Sequence, residues 1–216
     1  MNFFGHAAVA SWHLVAPEAV LGAMLPDFAS MARTRLRRVH DATVARGVTL
    51  HHDTDSVFHA APSFVALCND AGRELEDLGL GRGSARAVAH VGTELVLDGW
   101  LTERDQGHAE YLAALRVDPD RVVGAVELWH PEGPDRMRGL LERLRGYGVP
   151  HGYREPAFVG ERLAQALAHR PRLRLGDEDR RRVTRWLDGW QRRVRAEAPA
   201  LMAQVRQGLA SPPADG

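Results

Sequence analysis

The chain has 216 residues, of which 44% are hydrophobic and 26% charged, with 28 basic and 28 acidic residues and a formal net charge of zero. A balanced charge speaks against general nucleic-acid binding, which favours a basic domain, and no stretch approaches the roughly 18 apolar residues of a membrane span. Cys68 is alone, which excludes an intramolecular disulfide and a cysteine-rich zinc site and suits a reducing cytoplasm.

Taken in chain order, the elements read as helices. The first covers Asn2 to Leu14, and between Met1 and Trp12 it carries one ionisable side chain, His6. Pro17-Glu18 opens a second, with proline in the first turn, and Pro26 marks its end or a kink, with Asp27 following at that break. Arg33 to Arg38 contains four arginines and no acid, and Gly47 is expected as a turn into a histidine-rich segment. Pro62 starts the next helix, which stops before the glycine-rich run Gly79 to Gly83. Ser84 is a good cap for a long helix reaching about Leu101. Further helices follow from Asp118-Pro119, from Asp135 to Tyr147, from Pro156 to His169, and from Gly176 to Gly208. The last carries Val183, Trp186, Leu187, Trp190 and Val194 on one stripe, so its two tryptophans read as core. No convincing strand appears. The expectation is an all-α fold of roughly eight to ten helices, a single domain over 1–208, and a disordered tail over 209–216.

The chemistry-bearing residues recur at helical spacing. His51, Asp55 and His59 stand four apart in one segment, and His90, Glu94 and Asp98 in another. Residues four apart lie above one another on one helix face, so two such helices can bring imidazoles and carboxylates around a common point. Glu94 and Asp98 lie among Val91, Leu95, Val96, Leu97, Trp100 and Leu101. A carboxylate buried in so apolar a helix must be paired or bind a metal. Such a mixed donor set suits Mn, Fe or Zn. A cation so held polarises a phosphoryl oxygen and lowers the pKa of bound water.

The order of these segments resembles a known family. Met1-Asn2-Phe3-Phe4-Gly5-His6 is similar to the Met-Asn-Phe-Leu-Ala-His opening of the acyl-carrier-protein phosphodiesterases, and Leu21 to Phe28 resembles that family's Leu-x-Gly-Asn-x-Leu-x-Asp-Phe. Gly47 to Asp55 occupies the place of its Gly-Ile-x-x-His-Arg-x-Ile-Asp, and Glu94 to Leu101 the place of its Asp-x-x-x-Asp-His-Phe-Leu. The resemblance covers the first half of the chain. It implies a helical fold related to the HD phosphohydrolases and a divalent metal, usually Mn, with Fe, Mg or Zn as alternatives. The implied reaction releases 4′-phosphopantetheine from holo-acyl carrier protein by phosphodiester hydrolysis. By position it makes His6, Asp27, His51, Asp55, Glu94 and Asp98 the metal candidates. His52-Asp53 supplies an adjacent His-Asp doublet, so two registers stand open, His51 with Asp55 or His52 with Asp53. Asp27, His52 and Asp53 are the candidates for catalytic roles. The family's basic residue after the motif histidine is His52 here, and the histidine after its last aspartate is Gly99.

Arg37 and Arg38 are candidate docking residues, because a basic patch would steer an acidic carrier protein. Two other readings accompany this one. The same site suits a small phosphorylated metabolite or nucleotide, and a non-catalytic helical binding protein would keep these polar groups as buried structure.

Overall fold

A computed structural model describes residues 1–210; the expected tail over 211–216 lies outside them, and Leu209 and Ala210 continue the last helix. Ten α-helices and one small sheet make an all-α fold among the described residues: α1 (Phe3–Ala10), α2 (Pro17–Met31), β1 (Leu36–Val39), α3 (Ala42–Ala60), α4 (Pro62–Asp77), α5 (Arg82–Thr102), α6 (His108–Leu115), α7 (Pro119–Gly124), β2 (Val126–Leu128), α8 (Gly133–Tyr147), α9 (Pro156–Leu167) and α10 (Asp177–Ala210). A short 3-10 turn spans His151–Arg154. No described helix is long and apolar enough to cross a membrane.

The helices group into two compact units. The first holds Met1–Asp55 and Asp105–Pro150, the second Ser56–Arg104 and His151–Gly216, so the division falls inside α3. In the first unit α2 is the spine, with α1, α6 and α8 packed against it. Helix α1 (FFGHAAVA) is apolar nearly all round and every one of its residues is buried, as expected of a helix with no polar face. Phe3 lies 5.6 Å from Phe28, and Phe4 lies 5.2 Å from Tyr111 edge-on, which ties α1 to α2 and α6. In the second unit α5 packs against α4, α9 and α10, and α10 also packs on α4 and α9. Val183, Leu187, Trp190 and Val194 form the buried stripe of α10. Trp190 stacks on Trp186 at 5.0 Å and gives its indole N–H to Thr93, so the pair is core on Trp190's side and half-buried at Trp186.

Four local expectations change. Ser84 does not cap α5 but lies inside it, since the helix begins at Arg82 with Gly81 at its N-cap. Gly47 lies within α3, not in a turn, because α3 is capped earlier, where Asp41 accepts the amides of Thr43 and Val44 at 2.8 and 3.0 Å. Pro26 and Asp27 lie inside α2, which runs on to Met31; the proline takes away one helical donor without ending the helix. The arginine-rich run forms β1, which pairs antiparallel with β2 through Leu36–Leu128, Arg38–Glu127 and Val39–Val126, with an irregularity between Leu36 and Arg38. A strand this short, with an irregular register, carries too little alternation to stand out in sequence.

Candidate metal centre

Three helices of the first unit supply the candidate site. Helix α2 and the first half of α3 approach closely at a pair of glycines. A Cβ on Gly47 would lie 1.9 Å from the Ala19 carbonyl oxygen, and one on Gly22 would lie 2.3 Å from that of Val44. Backbones meet here because neither residue has a side chain. One turn after Gly47 comes His51, whose Nδ1 lies 2.9 Å from the Ala23 carbonyl oxygen. A carbonyl can only accept, so Nδ1 carries the proton and Nε2 of the neutral ring keeps its lone pair. Burial, with the His6 ring beside it, pushes the His51 pKa down to about 3, so the ring is neutral near pH 7. A backbone carbonyl that fixes a histidine's tautomer is a common support for a metal ligand.

His6 of α1 is buried and stacks on His51 with ring centroids 3.9 Å apart. Its Nε2 lies 4.0 Å from Oδ2 of Asp27 and 3.2 Å from Oδ1 of Asp55. His6, Asp27 and His51 each offer one donor atom, and the three atoms lie within 4.8 Å of one another. Asp55, one turn past His51, sets Oδ2 3.5 Å from His51 Nε2 and accepts from the Met1 ammonium at 2.9 Å. Burial pushes the Asp55 carboxyl up, but His6 and the ammonium outweigh it and hold the group ionised, well below the usual carboxylate range. A neutral Nε2 lone pair thus faces an ionised oxygen at 3.5 Å, acceptor against acceptor. A cation bound to Nε2 relieves that opposition, and the donor set of two imidazoles and a carboxylate fits Mn, Fe or Zn.

The sequence-derived candidates separate into groups. His6, Asp27 and His51 form the trio, with Asp55 alongside. His52 and Asp53 are exposed on α3 and belong to no group of candidate ligands among the described residues, although the His52 ring lies 5.3 Å from that of His51. Glu94 groups with His59 and His90 in the second unit instead. Asp98 is fully buried on α5 and belongs to neither trio. Four-residue spacing put His90 and Glu94 on one face of a helix, and they do share it, 3.1 Å apart; what spacing could not show was that His59 joins them.

Arg37 and Arg38 are exposed on β1. With Arg35 they line an open groove of about 470 Å³ that also includes Pro26, Ser30, Val48 and His52. The groove therefore reaches the immediate neighbours of Asp27 and His51. Across β2, the Arg37 guanidinium lies 5.8 Å above the ring of the exposed Trp129. Three arginines and a histidine lie along one groove, and guanidinium groups are suited to pairing with anionic groups.

No protein-family model matches the chain, and comparisons with curated proteins and with solved structures gave no similar protein.

Proposed function

We propose that the protein is a metal-dependent phosphodiester hydrolase that binds its cation through His6, Asp27 and His51. The observation that carries the reading is the convergence of these three donors from three separate helices, with the His51 tautomer set by the Ala23 carbonyl. The cation, when bound, would polarise a phosphoryl oxygen and lower the pKa of water for attack on phosphorus.

The chain's own groups divide the remaining work. Asp55, held ionised, lies 3.2 Å from the His6 ring and orients it, while the Ala23 carbonyl orients His51. Arg35, Arg37 and Arg38 dock the acidic surface of a macromolecular substrate along the groove, away from the scissile diester. His52, which lines that groove, would give a proton to the leaving oxygen. As the water oxygen bonds to phosphorus it gives up a proton to solvent, the phosphorus–ester bond breaks, and the departing ester oxygen takes the proton from His52. The exposed Asp53 has no part in the reading.

The basic groove favours an acidic macromolecular substrate, and the resemblance of the opening segments makes that substrate holo-acyl carrier protein in the cytoplasm. The test is hydrolysis by the Arg37→Ala/Arg38→Ala double variant of two substrates, a small aryl phosphodiester and holo-acyl carrier protein, with Mn supplied. The expected result is unchanged turnover of the small diester and weakened use of the carrier protein. Equal loss on both would remove the docking role. Turnover of the small diester with none of the carrier protein by the unaltered chain would favour a small phosphorylated metabolite.

A further inference from the structure

The second unit holds a separate cluster of donors that the reading above does not use. His59 comes from the last turn of α3, His90 and Glu94 from adjacent turns of α5, and their three candidate ligand atoms lie within 4.8 Å of one another. Glu94 Oε1 lies 3.1 Å from His59 Nε2 and 3.1 Å from His90 Nε2. The two imidazoles stack with centroids 5.0 Å apart and 21° between planes. Phe64 of α4 stands edge-on to both rings, at 5.4 and 5.3 Å, and fixes their orientation.

We propose that His59, His90 and Glu94 form a second cation site, built for a zinc-class transition ion and open to solvent on one side. The spacing fits. Donors at ~2.1 Å from a tetrahedral zinc stand about 3.4 Å from one another, and here the two N-to-O separations are 3.1 Å. The chemistry fits too. Two imidazole nitrogens disfavour Mg and Ca and favour Zn, Co, Ni or Cu, and two histidines with a glutamate are a known open zinc donor set. The Glu94 side chain is only 12% exposed. The histidine side chains are 35% and 47% exposed, so an ion held here is within reach of solvent, leaving room for a water or a ligand in the remaining coordination position. The site shares no residue with the trio in the first unit and does not rest on its function.

The test uses the full chain, stripped with chelator and titrated with Co²⁺, read by visible absorption and by equilibrium dialysis. In an Asp27→Asn background, which removes a ligand of the first centre, one equivalent of Co²⁺ is expected with the intense absorption of a four-coordinate ion. Adding His90→Gln should weaken that binding by more than about a hundredfold, since a lost ligand costs more than a lost outer-sphere partner. His59→Gln should do the same, and circular dichroism checks that each variant keeps its helices. No Co²⁺ bound in the Asp27→Asn protein, or equal affinity with and without His90 and His59, would overturn the proposal and leave the cluster an ion-paired network. If the first centre instead holds no cation, the unaltered chain binds one equivalent that is indifferent to Asp27→Asn and lost with His90→Gln.

Discussion

At the scale of single residues, the most telling side chain is His51. Its folded pKa of about 3 lies far below the 6.5 of an ordinary histidine. As pH falls below about 6.5 the unfolded chain takes up a proton that the folded ring refuses, so metal-free protein loses stability on acidification. The slope approaches about 1.4 kcal/mol per pH unit for one such group. Urea midpoints of chelated protein between about pH 5 and pH 7 read this directly. The His51→Gln variant, which has nothing to protonate, should show a flatter dependence; an unchanged slope would mean that the ring titrates normally. Asp41 acts in the same direction, through a different cause. Backbone amides of Val44 and Thr43 hold its carboxyl below the usual value, so the capping contribution is present at neutral pH and is lost as pH falls through that lowered pKa. Asp41→Ala should lower the unfolding temperature modestly.

At the scale of elements, the α2–α3 contact positions the centre. Alanine normally favours a helix over glycine by about 1 kcal/mol, yet a Cβ at Gly47 would collide with backbone rather than with a side-chain end. Gly47→Ala should therefore destabilise the protein by about 1–3 kcal/mol, the cost of overpacking, and should weaken cation binding because His51 sits one turn on. Gly72→Ala in α4, where a new Cβ meets nothing within 4 Å, should be neutral or stabilising by about 0.5–1 kcal/mol. Denaturant unfolding of the two variants separates these cases, and equal effects would remove the close-approach account. The same contact explains what sequence could and could not tell. Helices with strong stripes, such as α4, α8 and α10, were legible from periodicity, whereas the start of α5 was misplaced at Ser84 because Gly81 caps it without a side chain. Gly47 resembled a turn because its reason for being glycine lies on another helix. Pro26 resembled a terminus because a local rule cannot see the packing that carries α2 past it. His6, Asp27 and His51 were nameable as candidates, but their convergence depends on three helix packings that no spacing records.

At the scale of the whole molecule, zero net charge conceals a local imbalance. Arg35, Arg37 and Arg38 face one groove, while many other arginines are spent on exposed pairs such as Arg181–Glu178 and Arg138–Asp120, which contribute little to stability. Attraction of an acidic partner by the groove is screened over about 10 Å at 0.1 M salt. Use of an acidic carrier protein should accordingly fall as salt rises, while turnover of a small diester changes little. A parallel decline for both would point to salt acting on the centre itself.

The central claim is that His6, Asp27 and His51 hold the cation on which hydrolysis depends. The most direct measurement is Mn²⁺ binding, followed by the loss of the free-ion paramagnetic signal, with diester hydrolysis recorded on the same samples of the unaltered chain, Asp27→Asn and His51→Gln. The account predicts that the unaltered chain binds Mn²⁺ and hydrolyses the diester, and that in both variants binding and hydrolysis fall together while the helical content stays. Full hydrolysis by Asp27→Asn, or hydrolysis by the unaltered chain that survives complete removal of metal, would contradict it.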